Sequence, residues 1–219
     1  MGFRVVCISR TTAAGGEEVG QAVAQQLGFR YVDEQIIRRA ARQAQVEPAL
    51  VAKAEQRQPL LQRLLEKMPR GVEVAGMVTA ATGVPVAASM RSPAALRVDP
   101  ADLRAMIQAA IHEVAGAGQA VIVAHAASMA LANTEGVLRV LVTASAETRV
   151  RRVAELEPLI GAEAERRIAT SDRERREYFR RFYEVEDELP THYDVVVNTD
   201  VLTTAQVVAL VLSLAQGPA

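Results

Sequence analysis

The chain has 219 residues, half of them apolar and 23% charged, which suits one domain, or one domain with a small inserted lobe, and excludes a disordered chain. Its net charge of −1, from 25 basic and 26 acidic residues, argues against a surface given over to nucleic acid or anionic membrane.

Residues 3–9 (FRVVCIS) form a short apolar, β-branched run, which predicts a strand buried on both faces. The small-residue loop 11–16 (TTAAGG) follows, then a helix over about 17–27 with Val19, Val23 and Leu27 on one stripe. Gly28 ends it as a C′ glycine does, and a second short strand over 29–32 runs up to Asp33. Residues 34–68 read as helical with interruptions at Pro48 and Pro59, and 72–81 as a helix before an irregular connection. Asp99-Pro100 then supplies an N-cap and a proline at the first helical position. Leu103, Met106, Ile107, Ala110, Ile111 and Val114 continue the stripe until Gly116 and Gly118. Further strands fall at 120–124 (AVIVA), 137–143 and 194–197. Ser145 caps a helix over 147–156, an Arg/Glu-rich helix covers about 162–183, and Thr203 or Thr204 caps a final apolar helix. Apolar strands alternating with helices predict an α/β fold, a parallel sheet covered on both faces.

The single cysteine, Cys7, excludes an internal disulfide and any metal site built on several thiolates. His112, His125 and His192 are scattered, so no protein-held metal is expected. The N-terminus MGFRVVCISR lacks a signal-peptide pattern, and no stretch approaches the roughly 20 apolar residues that span a bilayer. A soluble, cytoplasmic protein is expected. Only Lys53 and Lys67 are lysines and the other 23 basic residues are arginines, so a mechanism needing a lysine has two candidates.

In open α/β sheets ligands sit at the carboxyl ends of the strands, which singles out residues 10–20, RTTAAGGEEVG. A strand, a small-residue loop and a helix N-terminus favour an anion through exposed N–H groups and the helix dipole. No G-x-G-x-x-G occurs. Laying G-x-x-x-x-G-K-[ST] over the loop puts Arg10 at the first glycine, Gly15 at the second, Gly16 at the lysine and Glu17 at the hydroxyl residue. Thr12, Ala13, Ala14, Gly15, Gly16, Glu17 and Glu18 are the candidate phosphate-loop residues; alternatively, Glu17 and Glu18 simply stabilise their own helix start.

Arg166, Arg167, Arg173, Arg175, Arg176, Arg180 and Arg181 place seven guanidiniums within sixteen residues. They suit a lid that clamps phosphates, or a solvated helix, since Glu163–Arg167, Asp172–Arg176 and Glu177–Arg181 are favourable i,i+4 pairs. Asp33 could orient a substrate or cap the next helix. Arg39 could reach a phosphate or face water, and His125 follows the third core strand. Tyr178, Phe179, Phe182 and Tyr183 read as packing at the base of the lid helix.

Three stretches together resemble the cytidylate kinase-like family of nucleoside monophosphate kinases. ISRTTAAGGEEVG at 8–20 with LGFRYVDEQII is similar to that family's I-S-R-x-x-G-S-G-G-R-E-I-G and following strand. Val121–Ala126 stands where V-I-V-G-R-G is usual. SDRERREYFRRFY at 171–183 with YDVVVNTD at 193–200 looks like the lid and closing strand. The resemblance implies a three-layer P-loop kinase fold with a five-stranded parallel sheet in a single domain. Its core would be 1–44 and 99–219, with a helical monophosphate-binding insert at about 45–98 and a lid at about 161–184. It also implies transfer of the ATP γ-phosphoryl group, with Mg2+, to a nucleoside monophosphate such as CMP or dCMP. Residues 12–18 would contact the donor, Asp33, Arg39 and His125 the acceptor, and Arg173, Arg175 and Arg176 would be catalytic. The chain departs from the pattern at Ala13, at Glu17 and at Ala124-His125-Ala126. The alternative is therefore a pseudokinase keeping the fold for a partner or a sensed ligand.

Overall fold

The computed structural model describes residues 2–33, 35–37, 100–124, 126–157, 159 and 161–217. The expected insert at 45–98, most of the helical stretch 34–68 and the Asp99 cap lie outside the described residues.

Five strands make one sheet: β1 (Val5–Arg10), β2 (Arg30–Asp33), β3 (Ala120–Val123), β4 (Val137–Thr143) and β5 (Val195–Asn198). Their order is β2-β3-β1-β4-β5 and every pairing is parallel. Register centres on β1, where Val5 lies opposite Ala120 on one side and Val137 on the other. All five carboxyl ends therefore meet at one edge, at Arg10, Asp33, Val123, Thr143 and Asn198.

Side-chain alternation divides the core. Val5 and Cys7 point to one face, where Ile111 and Val114 of α2 (Pro100–Ala117) and Ala127 of the short helix α3 (Ala127–Ala130) pack. Val6 and Ile8 point to the other, against Val19 and Val23 of α1 (Gly16–Leu27) and Val207 and Val211 of the final helix. Two apolar layers around a strand buried throughout explain why β1 shows no polar alternation. The result is the expected three-layer α/β fold.

Off the sheet, α4 (Ala146–Leu156) and α5 (Gly161–Tyr183) pair around Val153, Ala164 and Ile168, and Ala13 of the first loop packs onto that cluster. Capping follows the sequence. Ser145 Oγ accepts from Thr148 N at 3.2 Å, Gly28 closes α1 at φ 66°, and Thr203 rather than Thr204 caps α6 (Thr204–Gln216). Strand ends differ from expectation by one or two residues: β1 starts at Val5, β2 spans Arg30–Asp33, β3 stops at Val123 and β5 runs on to Asn198. β1 continues to Arg10, and β5 begins one residue later because Asp194 turns back to Arg139, accepting at 2.7 and 3.1 Å. Helix α3 and the 3-10 turn Pro190–His192 are too short to leave a periodic signal.

Candidate functional site

The loop from β1 to α1 stands at the carboxyl edge of the central strand, where the topology puts it. Two residues take the left-handed backbone region: Gly15 at φ 84° and, against the preference of a residue with a Cβ, Ala13 at φ 61°. The Ala13 methyl compensates by seating in the α4–α5 cluster. No side chain caps α1 at Gly15, so its first-turn N–H groups face the loop with the positive end of the helix dipole.

The loop is held from two sides. On the outer side Arg152 of α4 donates to Ala13 O at 3.2 Å and to Thr199 O at 2.6 Å, and Thr199 Oγ1 donates to Ala14 O at 2.9 Å. On the upper side the Thr12 and Ser171 hydroxyls meet at 2.5 Å, tying the loop to α5. That helix is in turn fixed to α4 by a two-pronged Arg149–Asp172 pair at 2.8 and 2.7 Å.

Arg10 leaves the end of β1, and its Nη2 meets Glu17 Oε1 at 2.5 Å. Tyr31 of β2 stands nearby; burial, with the Asp33 and Glu17 charges, raises its hydroxyl well above the ordinary tyrosine range. Asp33 Oδ1 accepts from Ile36 N at 2.8 Å, so its carboxylate caps the next turn at the edge where an acceptor would lie. Arg39 and His125, the other expected acceptor residues, lie outside the described residues.

The three lid arginines part company. Arg173 and Arg176 are exposed. Arg175 is only 7% exposed and faces inward, donating to both Glu188 carboxylate oxygens at 2.7 and 2.5 Å and to Arg10 O at 2.9 Å. The Tyr193 hydroxyl also donates to Glu188. Burial works to raise the Glu188 pKa, but its hydrogen bonds to Arg175 and the guanidinium charge win and hold it below the usual glutamate range. Arg175 thus anchors α5 to the end of β1, and Phe179 lies against it, 4.7 Å from guanidinium carbon to ring centre.

A cleft of about 800 Å³ opens beside the loop. Its walls are residues 12–15 with Glu17 and Glu18, the end of α4 from Arg152 on to Glu157, and the segment Thr199–Thr204, with Leu156 and Leu202 as apolar rims. The cleft is continuous with the loop, and the carboxylates of Glu17, Glu18, Glu155 and Glu157 line it beside the Arg152 guanidinium. Sequence reasoning did not find Arg152 or Thr199. The signal available was Arg149 and Arg152 one turn apart, on a helix otherwise read as generic.

Cys7 beneath the site is inert: burial pushes its thiol up to about 12. Among the described residues no group of three or more His, Cys, Asp or Glu is arranged to hold a metal. The oxygens at the loop are engaged within the protein, the Thr12 hydroxyl with Ser171 and the Glu17 carboxylate with Arg10. Among the described residues no helix is long and apolar enough to cross a membrane.

The family model for the cytidylate kinase-like family matches residues 5–201. Among solved structures, an uncharacterized protein from Eubacterium ventriosum is similar at a TM-score of 0.64, with 13% identity and 95% of each chain covered; that likeness concerns the fold alone. The shikimate kinase from Bacteroides thetaiotaomicron is similar at 0.49, with 15% identity over 94% of this chain and 95% of that one. The shikimate kinase from Acinetobacter baumannii is similar at 0.46, with 11% identity over 96% and 91%. No curated protein matches this chain.

Proposed function

The chain belongs to the cytidylate kinase-like family, and from that premise we propose that it binds ATP and transfers the γ-phosphoryl group to a nucleoside monophosphate, CMP or dCMP. The observation that carries this reading is the uncapped start of α1 opening into the cleft between residues 12–15, α4 and Thr199–Thr204. The cleft takes the nucleoside between its apolar rims, and residues 12–18 take the phosphates through backbone N–H groups. Asp33, at the carboxyl end of β2, is assigned to the acceptor, as are Arg39 and His125 on the strength of the family pattern.

Phosphoryl transfer depends on positioning and charge neutralisation more than on covalent help. Thr12 and Glu18, whose oxygens line the cleft at the loop, would face a magnesium ion bound with the nucleotide, which would supply charge neutralisation there. The protein's share is to hold the phosphates at the loop and exclude water under α5. Arg173 and Arg176, exposed on α5 away from its loop-facing residues Ser171 and Arg175, reach the transferred group when that helix turns. Arg175 keeps α5 seated through Glu188 and Arg10 O.

A second reading has its own observation. The carboxylate of Glu17 sits in the loop on Arg10, an internal anion where a phosphate would go, which favours a pseudokinase that keeps the fold for a partner or a sensed ligand.

Thermal unfolding with ATP, CMP, dCMP, UMP and AMP, each with and without magnesium, separates the two. A ligand at 100 times its Kd adds about 2.7 kcal/mol, which raises Tm by roughly 5–11 °C at this size. A shift with ATP and with CMP or dCMP, followed by ADP release from that pair, is the expected result. No shift at millimolar nucleotide would sink the kinase reading in favour of the second.

A further inference from the structure

This inference rests on the reading of residues 10–18 as a phosphate loop and adds which side chain grips the phosphate. The loop has no lysine: Gly16 stands at that position. The space above Gly16 is nevertheless filled, because the Arg10 side chain lies across it. A Cβ placed on Gly16 would come within 2.6 Å of Arg10 Cβ and 3.0 Å of its Cδ. A side chain at 16 is therefore excluded by the base of the Arg10 side chain, and the Arg10 Cγ and Cδ continue over the same space. The cation beside the loop thus stands at the last residue of β1 and not on the first turn of α1.

The guanidinium is incompletely used. Its side chain is 16% exposed, with Nη2 on Glu17, while Nε is buried with no hydrogen-bond partner among the described residues. A planar fork with an unanswered N–H matches a tetrahedral oxyanion, which can accept from two guanidinium nitrogens at once. The Glu17 side chain is 44% exposed and stands on the first turn of a helix, so it can turn out to water without disturbing the core. Asp33 and Glu18 add negative charge to the same neighbourhood, against which Arg10 sets a positive one.

We propose that Arg10 is the phosphate-gripping cation of this loop in place of the lysine, and that Glu17 is a stand-in anion that occupies Arg10 in the empty loop and yields to a nucleotide phosphate. The second reading of the Glu17 carboxylate, as a block to binding, then becomes a measurable competition.

The test uses the full chain and calorimetric titration with tripolyphosphate and, separately, with Mg2+-ATP. Arg10→Gln is expected to weaken both by about 10- to 100-fold, the scale of a charged hydrogen bond. Glu17→Gln is expected to tighten both by several-fold, because the competing carboxylate is gone. In the double variant Glu17→Gln should have no effect, since the two groups act on each other. Glu17→Gln that weakens binding, or Arg10→Gln that binds like the parent, would overturn the proposal. Should Arg10→Gln not fold, the sign of the Glu17→Gln effect decides alone. Arg10-dependent tripolyphosphate binding with no gain from the nucleoside would keep this inference and defeat the kinase reading. Nucleoside-selective ATP binding indifferent to Arg10 and to Glu17 would do the reverse, and no binding of either anion defeats both.

Discussion

Arg173 and Arg175 are two residues apart on one helix, yet a helix turns about 200° between them, and their substitutions are expected to behave oppositely. Arg175→Ala leaves the half-buried Glu188 carboxylate and the Tyr193 hydroxyl without their cation. Breaking a buried pair costs about 3 kcal/mol, so Tm should fall by roughly 6–12 °C. Arg173→Ala and Arg176→Ala remove exposed side chains and should leave stability within about 0.5 kcal/mol. On the proposed mechanism they cut phosphoryl transfer by ~10³, the scale of an arginine finger. Melting curves and initial rates on the three variants check both statements; a stable, fully active Arg173→Ala, Arg176→Ala pair would take the lid arginines out of the chemistry. The arginine cluster itself was legible in the sequence. Which member turns inward was not, because Arg175 is selected by Glu188, thirteen residues on, and by the carbonyl of Arg10 at the far end of the chain.

At the scale of elements, α1 can place the loop only because it lies close on the sheet at Gly20. A Cβ there would run into Val123 Cγ2 and stand 3.3 Å from Tyr31 Cε2. Gly20→Ala is thus expected to cost about 1–3 kcal/mol through overpacking and to shift the start of α1. Chemical denaturation should show the loss. Thr203→Ala tests a different contact, the cap at the start of α6. Thr203 Oγ1 accepts from Gln206 N at 3.3 Å while Gln206 Oε1 accepts from Thr203 N at 2.9 Å. Losing this reciprocal cap should cost about 1 kcal/mol, leaving ligand binding unchanged if the cleft wall at 199–204 keeps its shape. Both helices were readable from their stripes and caps. The close approach at Gly20 was not, since a glycine inside a helical stripe looks the same whether it faces solvent or a strand.

For the whole molecule, two carboxylates tie α5, β4 and β5 together and make its stability acid-sensitive. Glu188 is held below its ordinary value of 4.5 as described above. Asp194 is held below 3.8 mainly by its hydrogen bond from Arg139, despite partial burial. A depressed folded pKa contributes stability that is complete above the unfolded value and is lost as pH falls through the folded one. Unfolding free energy should therefore be flat from pH 7 to about 5 as far as these groups are concerned, then drop progressively below about 4.5. Glu188→Gln should lower stability at neutral pH and flatten part of that acid limb. Urea titrations between pH 3 and 7 measure both effects; an unchanged acid limb in Glu188→Gln would remove Glu188 from the account.

Among the described residues, the order of the five strands and the long helices, their apolar faces and most of their caps were settled by the sequence alone, because periodicity, cap chemistry and glycine stops act within a few residues. The loop at 10–18 was legible for the same reason: a strand end, small residues and a helix start are contiguous. Only the tertiary structure decided that Ala13 adopts a left-handed backbone, since the compensating contact comes from Val153, Ala164 and Ile168. It also decided that Arg152 and Thr199 clamp the loop, and that the Arg10 side chain fills the space a lysine at 16 would need. These are contacts between residues distant in sequence or matters of side-chain direction, and neither leaves a local pattern to read.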